Sequence, residues 1–370
     1  MTAEKILLGA IIDIKKGSYI TKKEANEGPY PVILGGQEPA YYIDKYNHTG
    51  RAIVISRSGA SAGYVSRWNE PIFVTDGFLI EPKETVDFDY LYYLLKFHQP
   101  QLQGLQGGAA IPHVNPRIIN AIEVICPSID EQTAIAGILS AYDTLIENNQ
   151  QQIKLLEEAA QRFYKEWFVD LHFPGYEDTP VVDGVPEGWS RKKLSDIAEV
   201  IMGQSPKSEF YNTEKQGMPF HQGVGSYGTR FVVDDTYSSS FTKIAEAGSI
   251  LFSVRAPVGR LNLTKNKIVI GRGLSALKHK TGLQSFLFYM LKERFYKDNI
   301  VGNGSIFASI SKNELLAQEF IVPNDELAKQ YNAIVLEIDK KIESLDSQLQ
   351  FLKEARDRLL PKLMSGEIEV

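Results

Sequence analysis

Displaced by 196 residues against itself, the chain matches its own second half: positions 55–168 fall on 251–364 without a gap, and about a fifth of the paired residues are identical. The identities include Ala60/Ala256, Gly63/Gly259, Gly77/Gly273, Leu91/Leu287, Tyr93/Tyr289, Lys96/Lys292, Gly108/Gly304, Glu123/Glu319, Pro127/Pro323 and Ile146/Ile342. They mix apolar, charged and chain-breaking residues, so low complexity does not produce them. Residues 8–17 resemble 194–203 at a displacement of 186, and the second copy absorbs ten further residues before the longer match begins. Such self-similarity constrains the fold before any single motif does. Each half reads as a globular region of about 125 residues followed by a long helix.

The helices carry the clearest periodicity. After Pro127, large or apolar residues recur at Ile135, Leu139, Tyr142, Ile146, Asn149, Ile153, Leu156, Ala160, Phe163 and Trp167. The copy reads Tyr331, Val335, Ile338, Ile342, Leu345, Leu349, Leu352, Arg356, Leu359 and Leu363. Alternating steps of four and three over more than four heptads mark a coiled-coil seam. Each stripe needs a partner to leave water, and the other helix of the same chain has the highest effective concentration, which predicts an intramolecular antiparallel pair. Asn149 interrupts the first stripe either as a buried register-setting amide or as a surface residue of an imperfect heptad.

Between the first helix and the second globular region, residues 169–189 contain Pro174, Gly175, Pro180, Gly184, Pro186 and Gly188, a density of breakers that reads as a linker. In the globular regions short apolar runs at 52–56, 72–74 with 78–80, 249–254 and 267–270 read as strands, and 89–97 with its copy 285–297 as a helix. The fold class expected is α+β, with an internal pseudo-two-fold repeat. The boundaries are 1–126 for the first globular domain, 127–168 for helix one, 169–189 for the linker, 190–323 for the second globular domain and 324–370 for helix two and the tail.

The chemistry of catalysis is missing from the sequence. It has no GxxxxGK[ST] loop, no GxSxG, no Cys or His pair at metal spacing and no NPPY-like methyltransferase signature; Pro323-Asn324-Asp325 is not one. Gly271-Arg272-Gly273 and Gly223-Val224-Gly225 lack the strand and helix that would make them phosphate cradles. The lone Cys126 lies in an apolar run and reads as a space-filling thiol of a reducing compartment. With no signal-peptide pattern and no apolar run of spanning length, the expectation is a cytoplasmic protein without cofactor, metal or membrane partner.

Charge is uneven. The chain carries a formal −6, but residues 127–190 hold 3 basic and 12 acidic groups whereas 191–323 hold 18 and 11. Residues 1–126 are close to balance, with 12 and 13. A basic second globular region is compatible with phosphate neutralisation. Two similar heads carried on paired helices have the symmetry of a reader that engages two half-sites. A helix of about 40 residues would be ~60 Å long at 1.5 Å per residue, against ~3.4 Å per base pair of duplex. Two short words separated by several unread pairs are the expected target, and because the heads differ the words should differ.

The layout of head, long helix, Pro/Gly linker, head and long helix resembles the Type I restriction-modification specificity (S) subunit family over essentially the whole chain. Leu359-Leu360-Pro361-Lys362-Leu363-Met364-Ser365-Gly366-Glu367-Ile368 is similar to that family's ending. The stretch from Phe173-Pro174 to Val185-Pro186-Glu187-Gly188-Trp189 and the run Leu194-Ser195-Asp196-Ile197-Ala198-Glu199-Val200 resemble the opening of its second head. One departure is that the first head begins without a counterpart of Trp189. The resemblance implies two target-recognition domains that choose the site on double-stranded DNA and helices that dock two adenine methyltransferase (M) subunits. Restriction (R) motor-nuclease subunits would join through these. The methyltransferase would flip the target base, and this chain would be non-catalytic.

Residue types that read base edges and phosphates then become candidates. In the first head these are Arg57, Ser58 and Tyr64 of a Gly- and Ala-rich loop after a strand, Arg67 beyond it, Gln37 after Gly35-Gly36, and Lys16 and Lys22 of a basic cluster with Lys15 and Lys23. In the second they are Arg255 and Arg260 of the copied loop, Gln222, Arg230 and Arg272. Lys207 belongs to the same basic surface. For partner docking, the repeated charges Asp143/Asp339, Glu147/Glu343, Glu158/Glu354 and Arg162/Arg358 lie off the seam, where two equivalent sites would form; solubility pairing along the helix explains them equally well. Two rivals remain: a coiled-coil protein-binding scaffold with two heads, and a self-contained nuclease or methyltransferase, which the missing motifs disfavour.

Overall fold

Two four-stranded antiparallel sheets, one in each half of the sequence, take up the strands expected at 52–56, 78–80 and 249–254, while the runs at 72–74 and 267–270 pair outside them. The computed structural model describes residues 5–21, 23, 25–104, 113–295 and 309–370. The chain divides into a first unit of residues 1–150 with 347–370 and a second unit of 151–346.

In the first unit β1 (Ile12–Lys16), β2 (Ala52–Ser56), β3 (Val65–Trp68) and β4 (Gly77–Pro82) lie in the order β1-β4-β2-β3. In the second unit β5 (Ala198–Met202), β6 (Ile250–Ser253), β7 (Leu261–Leu263) and β8 (Leu274–His279) repeat it as β5-β8-β6-β7. Successive side chains of a strand point to opposite faces, and the cores follow that rule. Ile53, Ile55, Phe78 and Ile80 join the core beneath α1 (Phe88–Gly104), while Ala52, Val54 and Leu79 join a second cluster with Ile33, Ile72 and Val74. In the second unit Ile250, Phe252 and Leu277 meet α3 (Gln284–Phe295), while Leu251, Leu274 and Ala276 face Ile268 and Ile270. The expected copy of this helix ran to 297, and its residues 296–297 lie outside the described residues, as do Gly108 and Gly304.

The lesser pairings repeat too. Tyr30–Ile33 runs parallel to Phe73–Val74, and Met218–His221 parallel to Ile268–Ile270. Lys5–Leu7 pairs with Glu123–Ile125, and Ser190–Lys193 with Glu319–Val322. Gly63 and Gly259 match because both adopt positive φ, 86° and 89°, where a β-carbon would crowd Leu102 and Phe295 respectively.

Hydrogen bonding corrects the gapless alignment in two places, and Gly77, opposite Ser56, corresponds to Leu274, opposite Ser253, rather than to Gly273. Ser56 donates to Tyr64 as Ser253 does to Arg260, and Val114 donates to Arg57 as Ile310 does to Val254. Arg57 therefore corresponds to Val254, and Ser58, bridged to His113, corresponds to Arg255, bridged to Ser309. The second loop is one residue shorter. The turn across from it is one longer, Gly271-Arg272-Gly273 standing where the first unit has Thr75-Asp76.

The two long helices are α2 (Ile129–Phe168) and α4 (Asp325–Met364), 40 residues each. Ser128 starts α2 with a capping box, its amide donating to the Glu131 carboxylate at 3.0 Å and its hydroxyl accepting from the Glu131 amide at 3.4 Å, and Asn324 accepts from the Leu327 amide at the start of α4. Of the spaced stripes, Ile135, Leu139, Ile146, Asn149, Ile153, Ala160 and Trp167 on α2 and Tyr331, Val335, Ile342, Leu345, Leu349 and Leu363 on α4 are buried, and Tyr142, Leu156, Phe163, Ile338, Leu352, Arg356 and Leu359 are half-buried. Pairing is antiparallel within each unit. In the first, Asp143 meets Arg356 and Asn149 meets Gln348; in the second, Ile153 clusters with Ile342 and Leu345, and the Tyr331 hydroxyl donates to the Ala160 carbonyl. Asn149 is the buried amide of the two alternatives, 6% exposed. The 169–189 segment is tied down rather than free: Phe173 and Trp189 stack at 5.1 Å inside the second unit's core. Cys126 is half-buried against the first core. Among the described residues no helix is long and apolar enough to cross a membrane.

Candidate nucleic-acid interface

At one edge of the first unit's sheet the ends of β1 and β2 bring Lys16 and Arg57 together. Both line a cleft of about 250 Å³ with Ile14, Phe78, His113 and Asn115. Arg57 donates to His113 at 3.3 Å and stands 3.8 Å from Asp76. The Ser58 hydroxyl donates to the same Asp76 carboxylate. Gly35, at φ 65°, packs against the Ser58 carbonyl, where a β-carbon would come within 2.9 Å. That contact brings the loop carrying exposed Gln37 to the same edge. Three of the expected residues, Lys16, Arg57 and Ser58, are thus neighbours, and Gln37 lies exposed two residues beyond the Gly35 contact. Tyr64 is half-buried under the Lys96 ammonium, 4.7 Å from its ring centre, and Lys22 lies outside the described residues.

The second unit builds the corresponding edge from other chemistry. Ser205 donates to the Gln222 side chain at 2.7 Å and accepts from the Arg272 amide at 3.2 Å. The Gly273 amide donates to the Gln222 carbonyl, so Gln222 and Arg272 share one site. Both are exposed, as is Arg255 on the adjoining loop. Arg260 closes that loop through its backbone, its amide donating to Ser253 at 2.8 Å, and is only partly exposed. Where the first unit has Asp76 holding Ser58, the second has two exposed guanidinium groups.

Beneath that turn His221 is fully buried between Ser226 (2.7 Å) and Asp234 (2.9 Å). Burial pushes the Asp234 carboxyl up, but the bonds from His221 and Asn266 outweigh it and hold the group below the usual carboxylate range. His221 is thus a structural brace at the end of the strand Met218–His221, directly before Gln222.

Four expected site residues are elsewhere. Arg67 points into the first unit, 3.0 Å from Asp89 and 3.5 Å from Asp143, with its guanidinium 4.5 Å from the Tyr92 ring centre. Burial pushes the Tyr92 phenol up to about 12. Arg230 is 2% exposed, 2.6 Å from Asp339 and 3.8 Å from the Phe288 ring centre. Burial alone would lower its pKa, but the Tyr289 hydroxyl and the Asp339 and Glu157 carboxylates more than offset that. Neither arginine is placed to meet a ligand in solution. Asp143 and Asp339, expected on outer helix faces, are covered by their own units, where the Tyr93 and Tyr289 hydroxyls donate to them at 2.6 and 3.0 Å.

The remaining charges expected at docking faces, Glu147, Glu158, Arg162, Glu343, Glu354 and Arg358, are exposed. Glu354 and Arg358 pair with each other at 2.6 Å, as the solubility reading has it. Sequence inspection missed the exposed apolar residues of the same helices, seven among the described residues, of which four recur between the repeats while Ile129, Leu145 and Leu336 do not. Ile138, Leu155, Ile334 and Phe351 are exposed large hydrophobics, and at a displacement of 196 they form the pairs Ile138/Ile334 and Leu155/Phe351. Each unit holds one member of each pair, a signal the repeat contained. Among the described residues no cluster of His, Cys, Asp or Glu has the makings of a metal site.

The comparison with known proteins accounts for both copies: the family model for the Type I restriction modification DNA specificity domain matches residues 2–158 and again 186–354. The chain belongs to that family. The MjaIX specificity subunit of a type I restriction enzyme from Methanocaldococcus jannaschii is 28% identical over 375 residues, covering 95% of this chain and 87% of the relative. The MjaVIII specificity subunit from the same organism is 24% identical over 400 residues, covering 99% and 93%. Among solved structures, the S subunit of the Type-I restriction-modification system from M. genitalium has the same fold, with a TM-score of 0.65 at 22% identity over 98% of this chain and 96% of that one. Two specificity domains of one family thus carry unlike residues at the same sheet edge.

Proposed function

We propose that residues 1–126 and 190–323 are two target-recognition domains that read a bipartite, asymmetric double-stranded DNA site in the cytoplasm. The observation that carries this is the paired edge: one backbone frame presents Lys16, Gln37, Arg57, Ser58 and Asp76 in the first unit and Gln222, Arg255 and Arg272 in the second. Arg suits guanine edges and phosphates, and an amide suits adenine. An aspartate accepts from an exocyclic amino group. Different groups on one frame favour different words.

The helices would dock two adenine methyltransferase subunits and, through them, the restriction subunits. Support comes from exposed apolar residues recurring at matched positions, Ile138/Ile334 and Leu155/Phe351, beside exposed Glu147, Glu158, Arg162, Glu343, Glu354 and Arg358. Asp143, Asp339, Arg67 and Arg230 have no part in either surface.

The test is co-expression with an adenine methyltransferase subunit and mapping of methylated adenines. A split motif is expected, of which one word alone changes when residues 1–126 are exchanged for those of a relative; methylation indifferent to that exchange would refute the proposal. A second measurement addresses the edge. For the complex bound to its site, Arg255→Ala and Arg272→Ala should each reduce the slope of log K against log salt by about 1. An unchanged slope in both variants would remove these residues from the interface.

A further inference from the structure

Each unit fastens an aspartate of a long helix to its globular domain with a tyrosine and an arginine. In the first, Asp143 of α2 accepts from Tyr93 of α1 at 2.6 Å and faces Arg67 of β3 at 3.5 Å. In the second, Asp339 of α4 accepts from Tyr289 of α3 at 3.0 Å and from Arg230 at 2.6 Å. The tyrosines and aspartates are repeat partners, but the arginines are not: the residue displaced by 196 from Arg67 is Leu263. Arg230 comes from a different stretch of chain that runs beside β7, where the Leu263 amide donates to the Arg230 carbonyl at 3.0 Å. The second unit has a leucine at the strand position and presents a guanidinium to its aspartate from the neighbouring backbone instead.

A buried ion pair is a poor stabiliser compared with apolar packing, because desolvation consumes most of its attraction. Its presence in both units, with the guanidinium supplied from different places, therefore points to what such pairs do well, which is to select one geometry among several of similar packing. Apolar contacts between α1 and α2, or α3 and α4, tolerate small rotations; a tyrosine hydroxyl and a planar guanidinium held between two carboxylates, Arg67 by Asp89 and Asp143 and Arg230 by Asp339 and Glu157, do not, and Arg356 of α4 adds a further bond to Asp143 at 2.7 Å.

We propose that these two clamps are positioning devices that hold each recognition domain at one angle to the helices of its own unit, and so restrict the protein to one separation between the two DNA words. The inference rests on the bipartite reading above and deepens it. Arg67, Tyr93, Asp143, Arg230, Tyr289 and Asp339 touch no DNA; they act through the domains they fasten.

The experiment uses the full chain co-expressed with its methyltransferase subunit, with host genomic DNA as the probe and methylated adenines mapped at every site. Wild type is expected to methylate one split motif with a single spacing. Tyr289→Phe and Arg230→Leu should leave both words unchanged and add sites with spacings one base pair longer or shorter. The double variant Arg230→Leu with Leu263→Arg, which moves the guanidinium to the strand position it holds in the first unit, should restore the single spacing. Variants that keep the one spacing, or that lose methylation without gaining a new spacing, would overturn the proposal, since a role in stability alone lowers occupancy without altering its register. Absence of any split motif in the wild type would instead count against the bipartite reading itself.

Discussion

Asp143→Ala should destabilise the first unit by about 3 kcal/mol, the low end of the range for removing one partner from a buried charged cluster. The alanine leaves the Tyr93 hydroxyl without its acceptor and takes a carboxylate from both Arg67 and Arg356, whose side chains are 14% and 28% exposed. The loss stays near the low end because Arg67 keeps Asp89 at 3.0 Å and Arg356 keeps Asp357 at 2.8 Å. Tyr93→Phe removes one hydrogen bond and should cost about 1 kcal/mol. Urea titration of the full chain reads both, as midpoint shifts of the transition that reports the first unit. A loss below that of Tyr93→Phe would mean that the aspartate is no more than a surface charge.

In the second unit the largest effect is expected from Tyr331→Ala, at about 4 kcal/mol. Tyr331 is fully buried and sits in an aromatic cluster, its ring centre 5.3 Å from Phe163, 5.0 Å from Phe168 and 6.0 Å from Trp167. Truncation opens a ring-sized cavity between α2 and α4 that the surrounding rings, fixed on two helices and α3, cannot close. Tyr331→Phe keeps the packing and gives up only the bond to the Ala160 carbonyl, 3.2 Å long. Tryptophan fluorescence during unfolding follows both variants, because Trp167 and Trp189 belong to the same core. Equal losses for Ala and Phe would show that the hydroxyl, not the ring, secures the helix.

The helical stripes were legible because burial along a paired helix follows a short period that the sequence writes directly. Even the breach at Arg356 is lawful: its guanidinium finds Asp143 at 2.7 Å within the first unit. Asp143 and Asp339 misled for the opposite reason. Repeated charges off a seam look like exposed docking groups, and nothing local says that α1 and α3 cover them. The available signal was that Tyr93/Tyr289 and Asp143/Asp339 recur together, which pairs them only if long-range contact is already suspected. Arg230 had no such signal, since it lies in the stretch where the copies differ in length. The loop register was hidden because a one-residue shortening after β6 is compensated by a one-residue lengthening before β8, so that only the stretch between them, with Gly63/Gly259, keeps the displacement of 196 while the strands on either side are shifted by one. The domain edges that carry the proposed reading are loops with little periodicity, so residue type could nominate Lys16, Arg57 and Gln222 there while also nominating Arg67 and Arg230.

The first unit is discontinuous, closed by residues 347–370, and Leu359, Leu360, Leu363 and Met364 of α4 pack into its core beside Ile135 and Leu139. A ribosome that has finished the first globular region has therefore not finished its hydrophobic interior. During synthesis of everything between, that surface stays open to solvent and to chaperones, so the part of the protein made earliest is among the last to mature.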